Sequence, residues 1–159
     1  MAAPNLSGLA RLLVQHNRLV DADAEALQSA ANSTKTPFID HLIRSKKMSA
    51  RDIADFCSQA FGYPLLDLDQ IDPSYIPHGV LDIKVMTTQR IVPLYKRGNR
   101  LAVATADPTN LRALDEIRFQ TSLAVDPIIV NEEQLAPPVT QLSESAEETL
   151  KNLASDDIN

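Results

Sequence analysis

Residues 91–106, IVPLYKRGNRLAVATA, place two β-type apolar runs on either side of Arg97-Gly98-Asn99. Gly98 can supply the positive φ of a tight turn, so the segment predicts an antiparallel β-hairpin. Immediately after it, Asp107-Pro108 predicts the start of a helix, with the carboxylate as N-cap and proline in the first turn, where its missing amide hydrogen costs nothing. That helix runs through NLRALDEIRFQT, with Leu111, Leu114, Ile117 and Arg118 at helical spacing, and LAVDPIIV then returns as a strand. Upstream, YPLLDLD reads as a short strand or extended segment, and PSYIPHGVLDIKVMTTQ as a helix with an irregular start. Residues 62–134 therefore read as a small α+β, sandwich-like domain whose helices cover a mixed, mostly antiparallel sheet.

Residues 1–61 read as four helices. In LSGLARLLVQH, Leu6, Leu9, Leu13 and His16 recur every three or four positions. A second helix is expected after Asp21 as N-cap, turning Ala24, Leu27 and Ala31 inward. Pro37 suits the first turn of a third, with Phe38, Leu42 and Ile39 as its apolar face. Ser49 and Asp52 resemble a capping box for a fourth, which carries Ile53, Phe56, Cys57 and Ala60 inward and stops at Gly62. A shift of 29 residues superposes Leu13-Val14 on Leu42-Ile43, Asn17 on Lys46, Leu19 on Met48, Asp23 on Asp52, Ala24 on Ile53 and Leu27 on Phe56. The four helices are thus two copies of one helical hairpin, which together can enclose a core that one copy cannot. The fold class is α+β, with an N-terminal four-helix bundle followed by the smaller mixed domain.

The composition excludes several functions. Net charge is −6, but residues 132–159 hold seven acids against one lysine, so the body is neutral and the tail acidic. A neutral body without tryptophan lacks the basic surface that nucleic-acid binding needs. Mean hydropathy is −0.14, and no apolar run approaches the roughly 20 residues that span a bilayer. With no secretory signal pattern either, the expectation is a cytoplasmic chain without direct membrane insertion. Cys57 is the only cysteine, which rules out an intrachain disulfide, and its apolar neighbours predict a buried, inert thiol. The only glycines, Gly8, Gly62, Gly79 and Gly98, are too scattered for a phosphate-binding loop or a serine nucleophile elbow. His16, His41 and His78 lack metal-ligand spacing, even with Asp40 added. No catalytic residue, cofactor site or metal site is expected in these 159 residues. In residues 135–159, Pro137-Pro138 should interrupt any helix, leaving an acidic linker or a helix in need of a partner, and such an ending suggests a longer parent chain.

The segment RIVPLYKRGNRLAVATADPTNLRALDEIRFQT resembles the N-terminal domain of type II secretion and type IV pilus assembly ATPases. The resemblance rests on Val92-Pro93-Leu94, Gly98-Asn99-Arg100-Leu101, Asp107-Pro108-Thr109 and Asp115-Glu116-Ile117, and departs at Ser122, where that family usually has glycine. It extends over roughly Leu6 to Gln134 and is strongest towards PilB-type pilus ATPases, with general secretion ATPases the near alternative. The resemblance implies that ATP and Mg are bound by motor domains beyond this chain, that the linker leads towards them, and that the whole machine sits on the inner-membrane pilus platform.

Sensing members of the same family, of the MshE type, clasp cyclic di-GMP with two helical motifs. Each motif begins Arg-Leu-Gly and has a second glycine seven residues after the first. The matching positions here are Gly8, Leu9, Ala10 and Asn17 in the first repeat, and Pro37, Phe38, Ile39 and Lys46 in the second. Both arginines and all four glycines are missing. Arginine supplies stacking and forked hydrogen bonds and glycine lets a ligand approach backbone, so the loss argues against high-affinity cyclic di-GMP binding. Arg11, Arg18, Arg44 and Lys47 are the candidates for a substitute cationic site, although exposed helical charges ordinarily just solvate a face. The resemblance implies instead a docking surface at the second repeat, comprising Pro37, Phe38, Ile39, His41, Leu42, Ile43 and Arg44. Its expected partner is a PilZ-type adaptor, itself linked to FimX-type cyclic di-GMP receptors, in pilus biogenesis and twitching motility. Three readings stay open: adaptor docking, a dinucleotide sensor with an altered motif, and a connector to the platform of a type II secretion ATPase.

Overall fold

The computed structural model describes residue 6, residues 8–77 and residues 79–157. His78 lies outside them, as does Ser7 within the first predicted helix. Two compact units are present, Met1–Ile53 and Ala54–Asn159. The division falls inside the fourth helix, whereas the sequence places the boundary at that helix's end.

The first unit contains α1 (Gly8–Gln15), α2 (Asp21–Thr34), α3 (Phe38–Arg44) and the start of α4 (Ala50–Phe61). α1, α2 and α3 pack on one another. Their core is Leu9, Ala10, Leu13, Leu19, Ala24, Ala31, Ile39, Leu42, Met48, Ala50 and Ile53. Three of the apolar pairs related by the 29-residue shift are buried alike, Leu13 with Leu42, Leu19 with Met48 and Ala24 with Ile53, whereas Leu27 is half-buried and its counterpart Phe56 buried. Equivalent burial at equivalent positions is what a duplicated hairpin with one shared core requires. Local details differ from the sequence reading. Val20, not Asp21, is the N-cap of α2 and makes no side-chain cap bond; Asp21 is already helical and faces the positive end of the helix dipole. Pro37 is the N-cap of α3 rather than its first helical residue. Leu6 and Leu27 are only half-buried, and His16, just past the end of α1 at Gln15, is exposed. The expected cap at α4 is present, with the Asp52 amide donating to Ser49 Oγ at 3.1 Å.

The second unit continues α4 and adds α5 (Ile83–Gln89), β1 (Val92–Arg97), β2 (Arg100–Thr105), α6 (Leu111–Thr121), β3 (Ala124–Ile129) and α7 (Ala136–Asp157). Single 3-10 turns lie at Leu68–Gln70, Pro73–Tyr75 and Glu132–Gln134. The hairpin forms as read, with Arg97 opposite Arg100 and Gly98 at φ +60. The sheet is mixed, but its balance differs from expectation: β1 and β2 are antiparallel, whereas β2 and β3 are parallel. Parallel neighbours need a crossover, and α6 provides it. Pro64–Leu66 continues the sheet beyond β3, where the Leu66 amide donates to the Ile129 carbonyl and the Ile129 amide to that of Pro64, each at 2.8 Å. Central β2 is buried from Leu101 to Thr105.

Three further expectations are corrected. Asp107 is not the cap of α6; Asn110 is, its Oδ1 accepting from the Ala113 amide at 3.3 Å. The helix starts one turn later than read, and its buried stripe is Ala113, Leu114 and Ile117, which rotates Leu111 and Arg118 outward. Ala60 is exposed because the last turn of α4 runs past the buried stripe of Ala54, Phe56 and Cys57. Pro137-Pro138 does not break a helix but begins one, since the first turn has no intrahelical acceptor for those missing amides. Among the described residues no helix is long and apolar enough to cross a membrane.

Candidate docking and ligand site

Each helical repeat ends its first helix in a left-handed residue, Asn17 at φ +58 and Lys46 at φ +61. These are the positions where the sensing motif has its second glycine. In the first repeat the closure is a Schellman motif: the Asn17 amide donates to the Val14 carbonyl at 3.1 Å and the Arg18 amide to that of Leu13 at 2.8 Å. The second repeat keeps one of these bonds, Lys46 amide to Ile43 carbonyl at 3.0 Å. In place of the other, the Lys47 amide donates to Ser45 Oγ at 3.4 Å, and that hydroxyl donates to the Leu42 carbonyl at 2.7 Å. The serine hydroxyl thus relays the bond that Arg18 makes directly. These hydrogen bonds hold the left-handed turn with a full side chain at Asn17 and Lys46.

The two turns border an open cleft of about 380 Å³ lined by Asn17, Arg18, Leu19, Val20, Asp23 and Lys47. Lys47 Nζ lies 3.0 Å from Asp23 Oδ2, so the second repeat's turn is tied to α2, and the cleft lining includes one carboxylate beside its two cations. Of the candidate substitute cations, Arg18 and Lys47 line the cleft, and Arg11 and Arg44 do not. The sequence reading missed Val20 and Asp23 as liners. The signal available for Asp23 was the 29-residue shift, which superposes it on Asp52 and Arg18 on Lys47.

At the remaining motif positions, Gly8 is exposed, while Leu9 and Ala10 are buried, as is Ile39 in the second copy. Where the sensing motif has its first glycine, both repeats therefore turn a side chain into the core. The expected docking residues divide. Ile39 and Leu42 belong to the core, at 3% and 0% exposure, and present nothing to a partner, because the buried stripe of α3 passes through them. Pro37 and Arg44 are exposed, and Phe38, His41 and Ile43 half-buried. The Thr34 hydroxyl donates to the Ala30 carbonyl at 2.8 Å, so its 3.0 Å contact with His41 Nε2 requires the Nε2–H tautomer as donor. His41 is thereby pinned to the end of α2.

In the second unit, Asp107 caps the turn ahead of α6, accepting from the Thr109 amide at 3.0 Å and from the Thr109 hydroxyl. Burial raises its pKa, against the pull of those two bonds. Burial also pushes the Cys57 thiol up to about 12, with the charge of Asp107 adding to the effect, so Cys57 is a protonated core residue at neutral pH. Among the described residues no group of three or more His, Cys, Asp or Glu is placed to hold a metal ion.

The MshEN domain family matches residues 61–149. The type IV pilus assembly ATPase PilB of Pseudomonas aeruginosa is 34% identical over 96% of this chain and 27% of its own length. PilB of Acinetobacter baylyi is 38% identical over 83% of the chain and 23% of its own. The chain thus spans about a quarter of the length of these curated relatives. The solved structure of MshE with cdg aligns over 84% of this chain and 97% of that one at TM-score 0.61 and 24% identity, a likeness of fold. Since the matched residues make up more than half of the chain and include the whole sheet with its crossover helix, the chain belongs to the MshEN domain family.

Proposed function

We propose that the chain is a non-catalytic regulatory module of a type IV pilus assembly ATPase, which docks a PilZ-type adaptor on its helical unit and passes that signal to a motor domain elsewhere in the parent. The supporting observation is the state of the two duplicated turns. Both hold a left-handed backbone that glycine would adopt readily, yet Asn17 and Lys46 put side chains where glycine would leave room, and neither Gly8 nor Pro37 offers a guanidinium. Beside the second turn, Pro37, Phe38, His41, Ile43 and Arg44 offer a surface of mixed apolar and cationic character, a combination that suits protein recognition. Calorimetric titration with a purified PilZ-type adaptor tests this. Binding is expected for the wild type and is expected to weaken about tenfold or more in Phe38→Ala and Arg44→Glu, with unchanged circular dichroism. Wild-type affinity in both variants would remove the second repeat as the docking surface.

One observation favours a second reading. The cleft bordered by both turns is within the size range of small-molecule sites, and two cations line it. Weak dinucleotide binding there would be strengthened by Asp23→Asn, which removes the carboxylate held by Lys47. Titration with cyclic di-GMP separates the readings: heat in the wild type that grows in Asp23→Asn favours a sensor, and its absence in both favours docking alone.

A further inference from the structure

Three elements converge at one end of the α+β unit. β2 leaves the hairpin turn, α6 returns along the sheet, and β3 begins beside the turn, where the Ala124 amide donates to the Asn99 carbonyl at 2.9 Å. The C-terminal turn of α6 therefore lies at the same end as Gly98-Asn99. Tyr95 is 52% exposed there, and Phe119, at 88%, is the most exposed large apolar side chain among the described residues. Arg97 and Arg100 stand opposite one another across the hairpin, and like charges so placed destabilise a sheet. Asp126 offsets Arg100 with a two-pronged pair at 2.9 and 2.5 Å. Among the described residues, no carboxylate pairs with Lys96 or Arg97. This end is therefore cationic and aromatic, and among the described residues the charges of Lys96 and Arg97 are not offset by an ion pair.

A complementary surface exists on the same molecule. The first turns of α7 pack on α5 and bury Val139 and Leu142. Further along, Leu150 and Leu153 are 63% and 58% exposed and fall on one helical stripe. By sequence they lie in a stretch, residues 144–157, with five acids against one lysine. We propose that the distal half of α7 in one copy docks on the hairpin end of a second copy, Leu150 and Leu153 meeting Tyr95 and Phe119, and the acidic stretch meeting Lys96 and Arg97. The two surfaces differ, so the contact is head-to-tail and each copy can both give and receive it. Its small area and charged character make it weak and salt-sensitive.

Sedimentation velocity of the 159-residue chain over rising concentration tests the contact. The expected result is a weight-average mass that climbs with concentration at about 50 mM salt and falls back at about 500 mM, where screening is short-ranged. Lys96→Glu with Arg97→Glu is expected to leave a monomer, as is Leu150→Ser with Leu153→Ser; all four residues are exposed, so circular dichroism should be unchanged. Mixing the two double variants supplies one intact tail and one intact hairpin end, and is expected to give a heterodimer and nothing larger. A wild type that stays monomeric at low salt, or association that survives either double variant, overturns the proposal. So does a monomer that instead floats with anionic phosphatidylglycerol vesicles through Lys96 and Arg97, which would assign the hairpin end to a lipid surface.

Discussion

Lys46 holds a left-handed backbone with a full side chain, a conformation that costs an L-residue roughly 1–2 kcal/mol and glycine almost nothing. Glycine also loses more freedom on folding, about 0.5–1 kcal/mol, so Lys46→Gly is expected to stabilise the helical unit by up to about 1 kcal/mol, seen as a higher urea midpoint at unchanged slope. Lys46→Val, with a branched Cβ, is expected to move the midpoint the other way. Leu42 separates core from docking surface: it is fully buried, so Leu42→Ala should cost about 2–5 kcal/mol in chemical denaturation, and any loss of adaptor binding in that variant would report unfolding. Asp107 gives a pH signature. Burial raises its folded pKa above the value of 3.8 for a free carboxyl. In the window above 3.8 the folded form holds the extra proton, so the stability tied to this group is present below that window and declines as pH rises through the folded pKa. Asn in its place can still accept from Thr109. Asp107→Asn is therefore expected to be more stable than wild type at pH 7, with the advantage shrinking as pH falls through the raised folded pKa towards 3.8 and levelling off below it, measured by thermal melts across that range.

Among the elements, the hairpin and the two helical repeats were legible because their signals are local: a glycine turn between apolar runs, and a fixed shift relating buried positions. The parallel pairing of β2 with β3 was not legible, because strand direction depends on where α6 lands and not on the residues of either strand. The start of α6 was misread because Asp107 and Asn110 are both competent caps, and only the fold shows that Asp107 serves the preceding turn. α7 was misread as broken because two prolines were weighed as breakers rather than as first-turn residues. The docking set was half legible: spacing found the apolar face of α3 but could not tell which of its residues the other helices would cover. One tie between elements was invisible in the sequence. Arg90, in left-handed backbone after α5, reaches Glu132 Oε1 at 2.5 Å, and Glu132 is 9% exposed. Arg90→Ala would leave that carboxylate buried without its guanidinium and is expected to cost about 2–3 kcal/mol, below the usual range for a fully buried pair because Arg90 is itself partly exposed. Arg90→Ala combined with Glu132→Gln should recover part of that loss, which a double-mutant cycle in urea would measure.

For the molecule as a whole, acid excess lies towards the C-terminus and the remainder is close to neutral, so a pI near 5.0 is largely a property of α7 and its surroundings. The two proposals would make separate demands on this layout: the proposed adaptor docking would involve the helical unit, whereas the proposed head-to-tail contact would use only the α+β unit. A variant can therefore lose one without the other. The strand order also sets a sequence of events in time. β1 and β2 meet across a two-residue turn and can zip within microseconds, whereas β3 reaches β2 only after the whole of α6 has been laid down, and Pro64–Leu66 must wait for β3. Within the sheet, the first contacts expected to form are those of the hairpin, and the last those joining Leu65 to Ile129. A chain emerging from the ribosome would hold Leu65 unpaired until Ile129 had been synthesised, so the edge of this sheet is the part of the molecule most exposed to misassembly while it is being made.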